Sequence, residues 1–177
     1  MSAKLRLFFA SWPDGDTALA LERWAREAGR ASGGRITKAA TIHLTLAFLG
    51  DVAADRLRAA IEAAGRVAAP AHVLPIEEAR YWPHNRIVWA GPREVPPALA
   101  RLAGLLKREL EGEGFKLEAR PFSAHVTLIR KAREPGSLPP LPAIEWPVGE
   151  FVLVRSTLAS EGSRYEVLER FGLSRDP

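Results

Sequence analysis

Two tetrapeptides that echo each other constrain this chain more than any other feature: His43-Leu44-Thr45-Leu46 and His125-Val126-Thr127-Leu128. Each lies in a short apolar run, TIHLTLAFLG and SAHVTLIRK. Successive side chains of a strand point to opposite faces, so each histidine shares a face with its threonine while Leu44 and Leu46, or Val126 and Leu128, share the other. One face is apolar; the other presents an imidazole and a hydroxyl. Such alternation is ordinary in a half-buried strand, but its repetition is not. With four histidines and six threonines in 177 residues, two His-x-Thr pairs arise by chance with a probability of roughly one in a hundred. Function is the favoured reading over packing.

The rest of the chain reads as alternating strands and helices. Lys4–Ala10 is rich in β-favouring residues and stops at Trp12-Pro13-Asp14-Gly15-Asp16. Ala18, Leu21, Trp24, Ala25 and Ala28 then form a helical stripe over Thr17–Gly29, capped by Asp14 or Asp16, with Trp24 in the core. The first His-x-Thr strand closes at Gly50, and a second helix is expected from Ala53 to Val67. His72–Gly91 reads as a strand pair around a turn at Pro83-His84-Asn85, and Pro96-Pro97 opens a helix that ends at Gly112-Glu113-Gly114. His72 and His84 have no threonine partner and are expected at the surface or in turns. The proline-rich Glu134–Pro142 is a surface connector, and strands at 151–156 and 165–171 complete a sheet.

The order repeats. Arg6–Ala10 precedes His43, and Arg86–Ala90 precedes His125, by 37 and 39 positions counted from the arginines, with one helix between strand and motif each time. We expect a single α+β domain over residues 1–177 made of two intertwined lobes. The repeat spans roughly 4–70 and 84–131, strands within 148–171 complete the sheets, and the two motifs face one another across a cleft about a pseudo-two-fold.

Composition narrows the chemistry. The chain has no cysteine, which removes thiolate nucleophiles and Cys-ligated metals, and no segment long enough to span a membrane. With no signal-peptide pattern at the N-terminus, a cytoplasmic monomer is expected. The net charge of +4 suits a phosphate-bearing partner. The site has no dyad of carboxylates for glycoside hydrolysis, no G-x-S-x-G elbow, no Gly-rich phosphate loop and no H-E-x-x-H for zinc. A metal held by His43 and His125 would need ligands that neither motif supplies, so neither metal nor cofactor is expected. Two facing His–Thr pairs can do acid–base chemistry on a phosphate: one imidazole takes a proton, the other gives one, and hydroxyls and cations hold the anion.

These motifs, the contexts HLTLAFLG and RPFSAHVTLIR, and the ending FVLVRSTLASEGSRYEVLERFGL resemble the two-histidine (2H) phosphoesterases, specifically the RNA 2',3'-cyclic phosphodiesterase branch, also called 2'-5' RNA ligase. The resemblance implies a bilobal α+β fold of antiparallel sheets with outer helices and a central cleft. It implies opening of the 2',3'-cyclic phosphate on RNA ends or small nucleotides to a 2'-phosphomonoester, with His43 as proton donor, His125 as proton acceptor, and Thr45 and Thr127 on the phosphate. The reverse reaction would be 2'-5' ligation. Phe48 and Arg130 match further positions of the branch, as possible substrate contact and phosphate ligand, and Trp12 is a candidate stacking surface. Regular alternation from His125 turns Arg130 away from the cleft; it reaches a phosphate only if the strand bulges or ends there, and Lys131 is the substitute otherwise. A phosphodiesterase for ADP-ribose 1'',2''-cyclic phosphate and a non-catalytic RNA-end binder are the alternatives. The acid–base reading predicts that His43→Ala and His125→Ala each lower kcat by at least about a hundredfold, the double variant being little worse than either. Steady-state kinetics check this, and a single variant keeping a tenth of the activity would contradict it.

Overall fold

A computed structural model describes residues 3–175 as an α+β fold. Ten strands and three α-helices lie among the described residues: β1 Lys4–Ser11, α1 Gly15–Ser32, β2 Arg35–Ile36, β3 Leu44–Ala53, α2 Leu57–Gly65, β4 His72–Ile76, β5 Glu78–Trp82, β6 Ile87–Gly91, α3 Pro97–Gly112, β7 Val126–Arg130, β8 Ile144–Val148, β9 Glu150–Ala159 and β10 Gly162–Gly172. They form two four-stranded antiparallel sheets, ordered β10-β9-β1-β3 and β2-β7-β6-β5, and a separate β4-β8 pair. Each large sheet contains one of the two His-x-Thr strands. No helix among the described residues is long and apolar enough to cross a membrane.

Local chemistry sets the boundaries. Asp14 caps α1 by accepting a hydrogen bond from the Thr17 N–H at 2.8 Å, and the helix buries Ala18, Leu21, Trp24, Ala25 and Ala28. Apolar residues from the inner faces of both large sheets (Leu7, Phe9, Leu44 and Leu46; Val88, Ala90, Val126 and Leu128) join Leu21, Leu102, Leu106 and Trp146 in one continuous core. The other face of the first sheet carries a small second cluster, Phe8, Ala10, Val152 and Val154, with Trp12 and Tyr165 packed on it. The 134–142 segment has no regular structure. It is pinned to α1, because the Trp24 indole N–H is shared between the carbonyls of Pro139 and Pro140, each at 3.2 Å.

Several boundaries differ from those expected. The strand β3 runs past Gly50 to Ala53, because β1 offers it partners as far back as Lys4, so the second helix starts only at Leu57 after a 3-10 turn at Ala54–Arg56. The 72–91 segment holds three strands: β5 and β6 pair as foreseen, but β4 leaves to pair with β8. That strand was hidden by Pro147, which a two-stranded ribbon accepts because it has no inner position to protect. The two-residue β2 is too short for periodicity to reveal.

The decisive departures from regularity are single inserted residues. Thr127 pairs with Trp89 and Ile129 with Val88, so Leu128 is extra, and both Leu128 and Ile129 are fully buried. The bulge reverses the alternation and puts Arg130 on the same face as Thr127. In β3, Thr45 pairs with Ala10 and Ala47 with Phe9, so Leu46 is extra and Phe48 returns to the face of Thr45. Phe48 therefore occupies in one sheet the position that Arg130 occupies in the other.

Backbone contact fixes the second motif further. A Cβ on Gly91 would lie 2.4 Å from the carbonyl oxygen of Ala124, the residue before His125. Gly91→Ala must move backbone and is expected to cost on the order of 1–3 kcal/mol, as overpacking does. Gly104→Ala meets nothing within 4 Å on α3 and should stabilise by about 1 kcal/mol through helix propensity. Urea denaturation of both variants checks the contrast; equal effects would refute it.

Candidate active site

Both histidines sit one residue ahead of their strands, His43 before β3 and His125 before β7. Each places Nδ1 against the carbonyl oxygen two residues earlier, Thr41 at 2.8 Å and Ser123 at 3.3 Å. A carbonyl only accepts, so Nδ1–H is the donor in both rings and Nε2 is the nitrogen left for chemistry.

Aromatic rings hold each imidazole. Around His43 stand Phe8, Trp12 and Tyr165, with centroids 5.1, 4.7 and 5.3 Å away; Trp12 stacks on it and Tyr165 meets it edge-on. His125 lies 4.8 Å from Trp82 and 6.4 Å from Trp89. The two rings line one cleft of about 740 Å³ together with Thr45, Phe48, Thr127 and Arg130. Arg6, Arg35, Lys38 and Arg164 add positive charge to its walls, against the single carboxylate of Glu161. The Arg6 guanidinium lies 4.9 Å from the centre of the Phe48 ring and 3.8 Å from Asp51.

These surroundings disfavour imidazolium. Burial, reinforced by the positive charges of Arg130 and His125, pushes the pKa of His43 down to about 4 despite the hydrogen bond to Thr41. His125 is lowered too, by burial and then by Arg130. Near neutral pH both rings are uncharged in the free protein, with Nε2 lone pairs facing a cation-lined cleft. An anion placed between them would favour protonation of either ring. Among the described residues no three His, Asp or Glu side chains gather where they could hold a metal.

Six residues singled out from the sequence, His43, Thr45, Phe48, His125, Thr127 and Arg130, thus meet at one cleft. Lys131 does not line it; its backbone takes a left-handed φ of 54° just past the strand. Trp12 is also not part of the lining: one face is spent on His43 and its indole N–H donates to the Ala40 carbonyl at 3.0 Å. His72 lies at the start of β4 and His84 in the β5–β6 turn beside Trp82, and neither lines the cleft. Sequence reasoning missed Phe8, Tyr165, Trp82 and Trp89 around the imidazoles, and Arg35, Lys38 and Arg164 on the walls. The in-step spacing of Arg6 and Phe8 along β1 carried a usable signal; Tyr165 is over a hundred residues from His43 and carried none.

Comparison with known proteins gives the family. The model of the LigT like Phosphoesterase family matches twice, over residues 12–89 and 90–165. The RNA 2',3'-cyclic phosphodiesterase of Escherichia coli is 36% identical over 177 residues, covering 99% of this chain and all of that one. The chain belongs to the LigT-like phosphoesterase family. The Thermus thermophilus protein of the same description is 32% identical, with 96% of this chain and 90% of that one covered. The crystal structure of E. coli LigT in its apo form superposes with a TM-score of 0.88 at 35% identity, over 98% of this chain and 99% of that one. Each match of the family model contains one His-x-Thr strand, as does each large sheet.

A histidine whose folded pKa lies below its unfolded value favours folding at high pH. That contribution is lost as pH falls from about 6.5 through the folded value near 4. An NMR titration of the ring resonances should find the His43 midpoint near 4 in the free protein. It should move upward when inorganic phosphate is added. A midpoint at 6.5 or above without ligand would contradict the buried, cation-flanked environment.

Proposed function

We propose that this protein hydrolyses the 2',3'-cyclic phosphate at an RNA end to a 2'-phosphomonoester by paired histidine acid–base catalysis. The observation that carries the reading is the convergence of two equivalent imidazoles, both with Nε2 free, on one cation-lined cleft. The near full-length relatives named RNA 2',3'-cyclic phosphodiesterase supply the substrate class.

In this reading His125 Nε2 removes a proton from water as its oxygen attacks phosphorus. The P–O3' bond breaks in line with that attack, and His43 Nε2–H delivers a proton to O3'. The 2'-O–P bond stays intact, so the product is a 2'-phosphate with a free 3'-hydroxyl. Thr45 and Thr127 donate to the non-bridging oxygens, and Arg130 offsets their charge through its paired donors. The exposed Phe48 ring is positioned to meet the ribose or base. His43 enters the free protein unprotonated, and the bound phosphate is what restores the proton it must give. No step needs a metal: hydroxyls and guanidinium groups meet the charge. A 5'-hydroxyl in place of water would attack the same phosphorus and expel O3', forming a 2'-5' linkage with His125 again the base and His43 again the acid, and abundant water favours hydrolysis. All these residues come from one chain, so the proposed reaction needs no second copy, and an RNA-end substrate suits the cytoplasm.

The test is to incubate the protein and EDTA with an RNA bearing a 2',3'-cyclic end. The expected product is the 2'-phosphate; a 3'-phosphate, no reaction, or activity restored only by a divalent ion would each overturn part of the reading. Because the acid must be protonated and the base not, and both pKa values are lowered, kcat/KM should peak below pH 6.5 and fall about tenfold per unit well above it. For kcat, which reports the bound complex, that fall should lie at higher pH. A kcat/KM independent of pH from 6.5 to 9 would exclude the mechanism.

A further inference from the structure

The cleft carries more uncompensated positive charge than one cyclic phosphate uses. Some surface guanidinium groups find carboxylates, Arg26 with Glu22, Arg66 with Glu109 and Glu113, and Arg170 with Glu150, and others stand alone, but among the described residues only in the cleft do several unpaired cations line one concave surface. Arg35, Lys38, Arg130 and Arg164 all line the cleft, and among the described residues none of their side chains has an ion pair or donates a hydrogen bond. Lys38 attracts Glu22 only at longer range, and that carboxylate is already committed to Arg26 and to the Ala39 N–H. A terminal cyclic phosphate is a monoanion, and Arg130, beside both imidazoles, is enough to meet it.

The remaining three are gathered at one end. Arg35 stands directly opposite Arg130 across the β2–β7 ladder, a like-charge pairing that destabilises a sheet unless something negative lies against it. Its guanidinium reaches the tip of the β9–β10 hairpin, where a Cβ on Gly162 would lie 3.5 Å from Nη1. Arg164 comes from that same hairpin, and Lys38 follows β2 by two residues, held by the Glu22–Ala39 bond. β2, the segment just after it and β10 thus bring three cations without an ion pair to the cleft that holds Arg130.

We propose that Arg35, Lys38 and Arg164 form a second phosphate subsite that takes the internucleotide phosphate preceding the cyclic end, so that the enzyme distinguishes RNA ends from free cyclic mononucleotides. This rests on the cyclic phosphodiesterase reading above. It assigns the three residues to substrate choice, with the bond-breaking left to the histidines.

The experiment compares kcat/KM for an RNA trinucleotide ending in a 2',3'-cyclic phosphate with that for the corresponding nucleoside 2',3'-cyclic monophosphate. The wild type should prefer the trinucleotide by at least about tenfold at low salt, and Arg35→Gln/Arg164→Gln should bring the ratio close to one. Arg58→Gln, a surface cation paired with Glu62, should leave the ratio unchanged. Binding of a labelled trinucleotide ending in a 2'-phosphate provides a readout without turnover. The slope of log affinity against log salt should shrink by about 0.7 for each cation removed from a single-strand contact. A wild-type ratio near one, a ratio preserved in the double variant, or a salt slope unmoved by it would overturn the subsite. A preference for ADP-ribose 1'',2''-cyclic phosphate over the trinucleotide would overturn the RNA assignment. Turnover of neither cyclic phosphate defeats the hydrolase reading itself, and the binding measurement then still decides whether these cations hold an RNA phosphate.

Discussion

One extra residue in each motif strand governs the site. Leu46 and Leu128 interrupt the two-residue alternation, and the next core-directed residue on each strand packs inward beside them. Two residues past each insertion, what would have faced the core faces the cleft. That is how a guanidinium three residues after Thr127, and a phenyl ring three residues after Thr45, join the same surface as the imidazoles. A regular strand with this sequence would turn Arg130 to the core face and Ile129 to the cleft, at a desolvation cost for the guanidinium. The apolar pair selects the bulge, and the bulge delivers the charge. The two sheets use one device for different ends: the second sheet contributes a cation at that position, and the first a ring with Arg6 stacked behind it.

The imidazoles depend on a second constraint, the fixing of Nδ1 by a carbonyl two residues back. Rings boxed by Phe8, Trp12 and Tyr165, or by Trp82 and Trp89, have little rotational freedom, and the carbonyl settles which nitrogen is protonated. The same burial that orients them drives their pKa values down. Neutral rings are poor acids, so in the proposed mechanism the free protein offers two bases in a positive field, and the arrival of an anion would complete the acid–base pair. Proton donation is thereby coupled to occupancy by phosphate.

Much of this was legible in the sequence, for identifiable reasons. The motif pair, the helices over 15–32 and 97–112 and the β5–β6 turn rest on local patterns: alternation, helical stripes, capping by Asp14 and the punctuation of Gly and Pro. The family followed from the motifs. What was not legible was non-local. The strand β8 exists because β4 pairs with it, and β3 runs on to Ala53 because Lys4 lies opposite. The side of the sheet on which Arg130 falls turns on a bulge that hydrophobicity alone does not place. Trp12 looked like a free platform beside the first strand, whereas tertiary contact gives that face to His43. Arg35, Lys38 and Arg164 share no sequence pattern; what marks them is that they line one cleft, and that is visible only in three dimensions.

The proposed mechanism needs two Nε2 atoms addressing opposite apical oxygens of one phosphorus. A crystal structure with a nucleoside 2',3'-vanadate, whose trigonal-bipyramidal centre imitates the in-line transition state, measures this directly. The account predicts one apical oxygen within hydrogen-bond distance of His43 Nε2 and the other within reach of His125 Nε2, with Thr45, Thr127 and Arg130 on the equatorial oxygens. Both imidazoles on the same side of the vanadium, or either one turned away from an apical oxygen, would contradict it.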